Sequence, residues 1–250
     1  ANIEHRMQGW LDVPLNANGV AQAQALAQKL ADVKFDHVYS SPLSRALDTA
    51  RAVVGDQHIV LNGDLREWNM GDFCGHIVKL TDSPADTPID MSGDVIYVPF
   101  ALLSNDDYVP PNGESYNMFI ARVRNAILDI VKNSDGKTIA IATHTGVAKN
   151  IIKQFTNVKW PRGGMPNAEY LKLEYDGEKF TLIDMPDWLS PVLLGTDGKP
   201  LTMYHGTYYD FDYFLYRNVC WRLKLENHNR YPGGYGAGIY YIGIHCLTTR

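Results

Sequence analysis

Apolar and polar positions alternate along this chain in two rhythms. Over residues 17–31, Val20, Ala23, Leu26 and Leu30 fall at helical spacing, while Gln22, Gln24 and Gln28 take the other face. The short apolar run His37-Val38-Tyr39-Ser40 has strand length, and Pro42 is well placed to open a helix over 43–54. Residues 59–61 read as another short strand. Helical spacing returns over 115–132, where Phe119, Val123, Ile127 and Ile130 make one apolar face. Residues 138–142 are a compact apolar run of the buried-strand kind, and a helix is predicted over 146–155. The stretches 170–175 and 179–184 flank Asp176-Gly177, a hairpin signal. Between 76 and 111 the pattern dissolves. Pro84, Pro88, Pro99, Pro110, Pro111 and Gly93 interrupt it, which predicts an irregular insertion of the sort that forms a lid or substrate wall.

Strands alternating with helices, closed by a hairpin, predict an α/β fold. The expected architecture is a layered helix/sheet/helix arrangement around a mostly parallel sheet. After Met185-Pro186 the composition shifts toward Tyr, Gly and Asp without a helical period. This places a boundary: a first domain over 1–186, and a small irregular appendage over 187–250. With 23 Lys and Arg against 28 Asp and Glu, the net charge is −5. No basic stripe is present, so no nucleic-acid partner is expected. The three cysteines, Cys74, Cys220 and Cys246, are widely spaced and give neither a disulfide framework nor a zinc pattern. No apolar run is long enough to cross a membrane, and a reducing cytoplasm is the expected compartment.

The candidate chemistry lies at strand ends. Ser40-Ser41-Pro42-Leu43-Ser44-Arg45-Ala46-Leu47-Asp48-Thr49-Ala50 reads as a strand end, a tight turn and a helix start. Backbone N–H groups and Arg45 would converge there on an anion. The string resembles the S-S-P-L-x-R-A-x-x-T-A signature of the histidine phosphatase (phosphoglycerate-mutase-like) superfamily. Asn2-Ile3-Glu4-His5-Arg6-Met7-Gln8-Gly9-Trp10-Leu11-Asp12-Val13-Pro14-Leu15 resembles the tail of that family's opening motif. The head of the motif, R-H-G, would lie a few residues before Ala1, so the first strand and the nucleophilic histidine are expected upstream and the chain as given is expected to be inactive. Leu65-Arg66-Glu67-Trp68-Asn69-Met70-Gly71 resembles the element that carries the family's proton donor. Pro111-Asn112-Gly113-Glu114-Ser115 resembles P-x-G-E-S, in which Gly serves the turn and Ser caps the helix. Ile141-Ala142-Thr143-His144-Thr145-Gly146 resembles a buried strand ending in S-H-G-G, with two threonines in place of smaller residues. The resemblance implies Glu67 and His144 as catalytic residues, and Asn2, Arg6, Arg45 and Thr145 around the phosphoryl group. It implies a small phosphorylated substrate, a phosphohistidine intermediate, hydrolysis in preference to mutase-type transfer, and neither metal nor cofactor for this domain. A non-catalytic phosphate-binding module is the alternative.

A second resemblance lies near the end. Gly198-Lys199-Pro200-Leu201-Thr202-Met203-Tyr204-His205-Gly206-Thr207, and Gly236-Ala237-Gly238-Ile239-Tyr240 after it, resemble the start of phage-type ADP-ribosyltransferase-like domains. That resemblance implies NAD as a ligand, held by His205, Gly206 and Tyr240, and ADP-ribosyl transfer as an alternative activity of this piece. Gly238-Ile239-Tyr240-Tyr241-Ile242-Gly243 also resembles the paired triplets of GIY-YIG nucleases, which there are separated by a spacer.

Overall fold

The computed structural model describes residues 4–134, 137–160, 165–184, 186 and 189, and the backbone of 239–246. In chain order the elements are α1 (Ala17–Lys29), β1 (His37–Ser40), α2 (Ser44–Val54), β2 (Ile59–Leu61), β3 (Ile77–Thr81), β4 (Val95–Pro99), α3 (Phe100–Leu103), α4 (Tyr116–Lys132), β5 (Thr138–His144), α5 (Thr145–Phe155), β6 (Tyr170–Tyr175), β7 (Phe180–Leu182) and β8 (Ile239–Cys246). Two 3-10 turns, Gly63–Leu65 and Gly71–Phe73, punctuate the stretch between β2 and β3. No described helix is long and apolar enough to cross a membrane.

The main sheet runs β2-β1-β5-β8-β6-β7. β1 is parallel to both β2 and β5, and β6 is parallel to β8, whereas β5–β8 and β6–β7 are antiparallel. The period of two along β5 separates two cores. Ile139 and Ile141 join Phe119, Val123 and Ile127 of α4 and Val147, Ile151 and Ile152 of α5. Ala142 joins Leu26 and Leu30, at the end of α1, and Ala50 of α2. Helices thus cover both faces, the layered α/β arrangement expected. Each fully buried isoleucine contributes about 1.5–3 kcal/mol, so the β5 pair alone matters to a marginally stable fold. Ser115 caps α4, its side chain accepting from the Met118 N–H at 3.1 Å, and Asn16 caps α1 through Gly19 N–H.

Two expectations are corrected. Residues 76–111 are not wholly irregular. β3 and β4 form a two-stranded parallel sheet whose Ile96 and Val98 are buried in a small core with Met70 and Phe73. Val20 faces solvent, because the α1 stripe that meets the sheet is set by Ala23 and Leu26. The stretch after 186 also contributes to this fold. Leu189 is buried in the larger core, and β8, from within 187–250, lies between β5 and β6. Without β8 the halves β2-β1-β5 and β6-β7 would share no backbone ladder among the described residues. The Ile- and Tyr-rich sequence of β8 has strand composition.

Candidate active site

β1 and β5 are parallel neighbours, so their carboxyl ends lie side by side, and each is followed by a helix: α2 after β1, α5 after β5. Two helix N-termini with free N–H groups therefore open at one end of the sheet, the usual place for an anionic ligand in this class of fold. The α2 terminus lacks a local side-chain cap. Asp12 supplies it from a distance, accepting from the Ser44 N–H at 2.7 Å.

Arg45, in the first turn of α2, is almost completely buried. Its Nη1 and Nη2 donate to the carbonyls of Leu11 and Gly9 at 2.7 and 2.8 Å, which fixes residues 9–11 beside the strand ends. Its Nε has no partner among the described residues. Burial lowers the guanidinium from its ordinary value, and the nearby carboxylates of Glu67 and Asp12 oppose this.

His144 ends β5 and is fully buried. Its Nε2 lies 2.8 Å from Ser41 Oγ, and Nδ1 has no partner among the described residues. Burial holds the ring well below the usual imidazole range, and the cationic Arg45 and Arg122 push the same way. Both effects favour the neutral ring. Thr145 Oγ1 and Ser44 Oγ are likewise buried, with no partner among the described residues. Arg45 Nε, His144 Nδ1, Thr145 Oγ1 and Ser44 Oγ thus come from residues at two adjacent strand ends. Natural proteins rarely leave such groups unpaired, and an anion rich in acceptors fits them.

Glu67 reaches the same place from the loop after β2. Thr143 Oγ1 donates to Leu65 O at 2.7 Å, tying that loop to β5. The Glu67 carboxylate accepts from Gly146 N–H at 3.0 Å and from Trp68 N–H at 2.8 Å. A Cβ on Gly146 would fall inside contact distance of the Glu67 carboxyl, so glycine leaves that carboxyl room to take the N–H. Burial raises the Glu67 carboxyl above its ordinary value, while those two N–H bonds and the charges of Arg45 and Arg122 work in the opposite sense. A carboxyl held by a backbone amide, with its proton affinity raised by burial, suits proton donation at neutral pH.

A further layer fixes the Glu67 loop. Arg122 of α4 makes a two-bond pair with Glu114, 2.6 Å from Nη2 and 3.1 Å from Nε. Its other bonds go to the carbonyls of Asp64, Arg66 and Glu67. Glu114 accepts from Asn69 N–H at 2.9 Å, and Trp10 Nε1 donates to Glu67 O at 2.7 Å. The sequence reading gave Glu114 no defined bond and did not mark Arg122, Trp10 or the Ser41–His144 contact. Ser41 and Glu114 stood inside quoted motifs. Arg122 carried no local signal, since on the sequence it is one more cation on a polar helix face.

Of the expected site residues, Arg45, Glu67, His144 and Thr145 come together. Arg6 is placed elsewhere: its guanidinium donates to Glu4 at 2.8 Å, to Asp94 at 3.0 Å and to Gly75 O at 3.0 Å. Asp94, from the segment 76–111, offers a carboxylate that the motif register could not foresee, and with Glu4 it raises the already high basicity of Arg6. Asn2, His205 and Gly206 lie outside the described residues. Tyr240 lies in β8, where its backbone is opposite Thr143 of β5.

The profile described as Histidine phosphatase superfamily (branch 1) matches residues 1–187. A putative phosphoserine phosphatase 2 from Hydrogenobacter thermophilus is 30% identical over 184 residues, covering 70% of this chain and 84% of the relative. A phosphoglycerate mutase-like protein 4 from Arabidopsis thaliana is 32% identical over 157 residues. That match covers 61% of this chain and 65% of the relative, so the chain spans just under two thirds of it. Among solved structures, Bacillus stearothermophilus YhfR superimposes with a TM-score of 0.53 at 27% identity, covering 73% of this chain and 89% of its own. A mycobacterial glucosyl-3-phosphoglycerate phosphatase gives 0.51 at 27% identity, covering 67% of this chain and 81% of its own.

Proposed function

This chain belongs to the histidine phosphatase superfamily, and we propose that it supplies the phosphate-holding and proton-donating groups of a phosphomonoesterase that works through a phosphohistidine. The observation that carries this reading is the meeting of Arg45, His144 and Glu67 at two adjacent strand ends, with the Glu67 carboxyl bonded to Gly146 N–H two residues past His144.

The chemistry follows from what each group can do. A neutral histidine attacks phosphorus and the bond to the leaving oxygen breaks. Glu67 transfers its proton to that oxygen, so an alcohol departs. Water then attacks the phosphohistidine, Glu67 takes the water's proton, the N–P bond breaks and phosphate leaves. Arg45, the α2 and α5 N-termini, Thr145 and His144 stabilise charge on the phosphoryl oxygens in both halves. The substrate is a small phosphate monoester. Hydrolysis is preferred to mutase-type transfer because the putative phosphoserine phosphatase is covered over 84% of its length, against 65% for the mutase-like protein.

The nucleophile is assigned, by the opening motif, to an R-H-G element ahead of Asn2. β8 does not replace it. Its histidine, His245, is opposite Thr138, six residues from His144 and so roughly 20 Å along the strand.

The test extends the chain upstream through R-H-G and assays p-nitrophenyl phosphate and phosphoserine. Hydrolysis appears on extension and drops by roughly 10²-fold or more in His144→Ala. Glu67→Gln costs more with phosphoserine, whose alkoxide needs the proton, than with nitrophenolate, which leaves without one. An upstream segment without R-H-G, or an extended protein without activity, overturns the reading in favour of a phosphate-binding module.

A further inference from the structure

We propose that Ser41 is a positioning residue that sets the tautomer of His144, so that the ring presents an N–H from Nδ1 to the phosphoryl group. This rests on the function proposed above and concerns a residue that neither touches the substrate in that mechanism nor carries charge.

The problem Ser41 solves is a consequence of neutrality. A neutral imidazole has one N–H and one lone pair. Only one tautomer can donate from a given nitrogen, and the other would set a lone pair against phosphoryl oxygens and repel them. His144 therefore helps hold phosphate only if something outside the ring decides which nitrogen keeps the proton.

The structure makes that choice. Ser41 and His144 are both fully buried, and the contact between Ser41 Oγ and His144 Nε2 is 2.8 Å. Ser41 Oγ faces the Leu43 N–H at 3.4 Å, a donor with no proton-accepting capacity. The hydroxyl hydrogen of Ser41 therefore has one acceptor among its recorded contacts, His144 Nε2. If Nε2 carried the ring proton instead, the Ser41 hydroxyl hydrogen would be buried without an acceptor, and the Nδ1 lone pair would be buried without a donor. With Ser41 donating to Nε2, the proton sits on Nδ1, and Nδ1 joins Arg45 Nε and Thr145 Oγ1 as a group able to donate to an anion.

The serine is itself held firmly. Its N–H donates to Ala142 O at 2.9 Å, its carbonyl accepts from Ser40 Oγ at 2.8 Å, and Pro42 follows. β1 and β5 are in register at Ser40 and Ala142, so the residue after β1 is delivered beside the end of β5. The serine of the turn thus does more than permit the turn.

The experiment is two-bond proton–nitrogen NMR of the full 1–250 chain labelled with ¹⁵N-histidine, with His144 identified by the loss of its signals in His144→Asn. The expected wild-type pattern is a protonated Nδ1 and a lone-pair Nε2 at neutral pH. Ser41→Ala loses that single tautomer and gives an Nε2–H or mixed ring, while Ser41→Thr keeps it. A wild-type ring protonated on Nε2 overturns the proposal and needs no variant to fold. An unchanged ring in a folded Ser41→Ala chain overturns it too. Titration with inorganic phosphate separates the two readings: phosphate shifts the Nδ1–H resonance if the site holds an anion. A ring with the Nδ1–H tautomer that ignores phosphate supports the tautomer assignment and counts against the phosphatase reading.

Discussion

Glu67 and His144 stand near the same two arginines, yet burial and charge act on them differently. For His144 both effects favour the neutral ring. For Glu67 burial favours the acid, and Arg45 and Arg122 favour the anion. Each consequence has a definite sign. A base whose folded value lies below its unfolded one contributes stability above the unfolded value, near 6.5, and loses it as pH falls below that. Between pH 7.5 and pH 5 the wild-type chain should therefore lose more unfolding free energy than His144→Asn. The added slope is about 1.4 kcal/mol per pH unit below the ordinary imidazole value. Denaturant titrations at the two pH values measure it, and parallel losses in both proteins would remove the buried neutral ring from the account. Glu67 runs the other way. Its folded value is raised, so its contribution is present at low pH and fades as pH climbs through the folded value. Glu67→Gln should gain on the wild type as pH rises from 5 to 8, and thermal unfolding of the pair across that range checks the direction.

Two glycines show how elements hold these residues. Gly71 has φ +53° in the turn after the Glu67 loop, and a Cβ there would collide with the backbone of Pro111 and Gly113. Backbone cannot step aside, so Gly71→Ala should cost about 3 kcal/mol or more in denaturant unfolding. At Gly146 the collision is with a flexible carboxyl tip, so Gly146→Ala should keep the fold. Its loss should fall on the Glu67 step, seen as a larger drop with phosphoserine than with p-nitrophenyl phosphate in the upstream-extended enzyme. Breaking the Arg122–Glu114 pair should be costly, because both side chains are largely buried, at 15% and 11% exposure. Glu114→Ala should destabilise by about 3–5 kcal/mol, and an exposed-pair value below about 1 kcal/mol would show that the pair does not anchor the loop. The elements that carry Arg45 and His144 were legible in the sequence because their information is local. Helical spacing gave α1 and α4 and the helix-opening Pro42 gave α2, each to within two residues, and the apolar runs gave β1 and most of β5. The contacts that aim the side chains were not legible. Arg122 reaches Asp64 across 58 residues, and Arg6 reaches Asp94 across 88. No periodicity encodes such distances, and a motif register placed Arg6 with the phosphate because it could not see the carboxylate waiting in 76–111. That same segment hid β3 and β4, whose five-residue runs lie among prolines and asparates and gain their partners from each other.

Among the described residues, the main sheet is continuous only through β8. Its backbone is in register with β5 from Thr138 to His144 and with β6 from Tyr170 to Tyr175. Among the described residues, strands β6 and β7 share no other ladder with β1, β2 and β5, so what unites the sheet is β8. Two backbone edges, each a row of N–H and C=O groups, would otherwise face water or another chain. Removing residues 235–250 should therefore do more than trim a terminus. Hydrogen exchange should show protected amides in β5 and β6 of the full chain, and the truncated chain should lose protection in β6 and β7 first. Those strands keep only their own antiparallel pairing, and an isolated hairpin is marginal in water. β5 should retain partial protection through β1. The exposed edges should also shift the truncated chain toward concentration-dependent self-association in sedimentation. If exchange in β5 and β6 is the same with and without 235–250, β8 does not close the sheet.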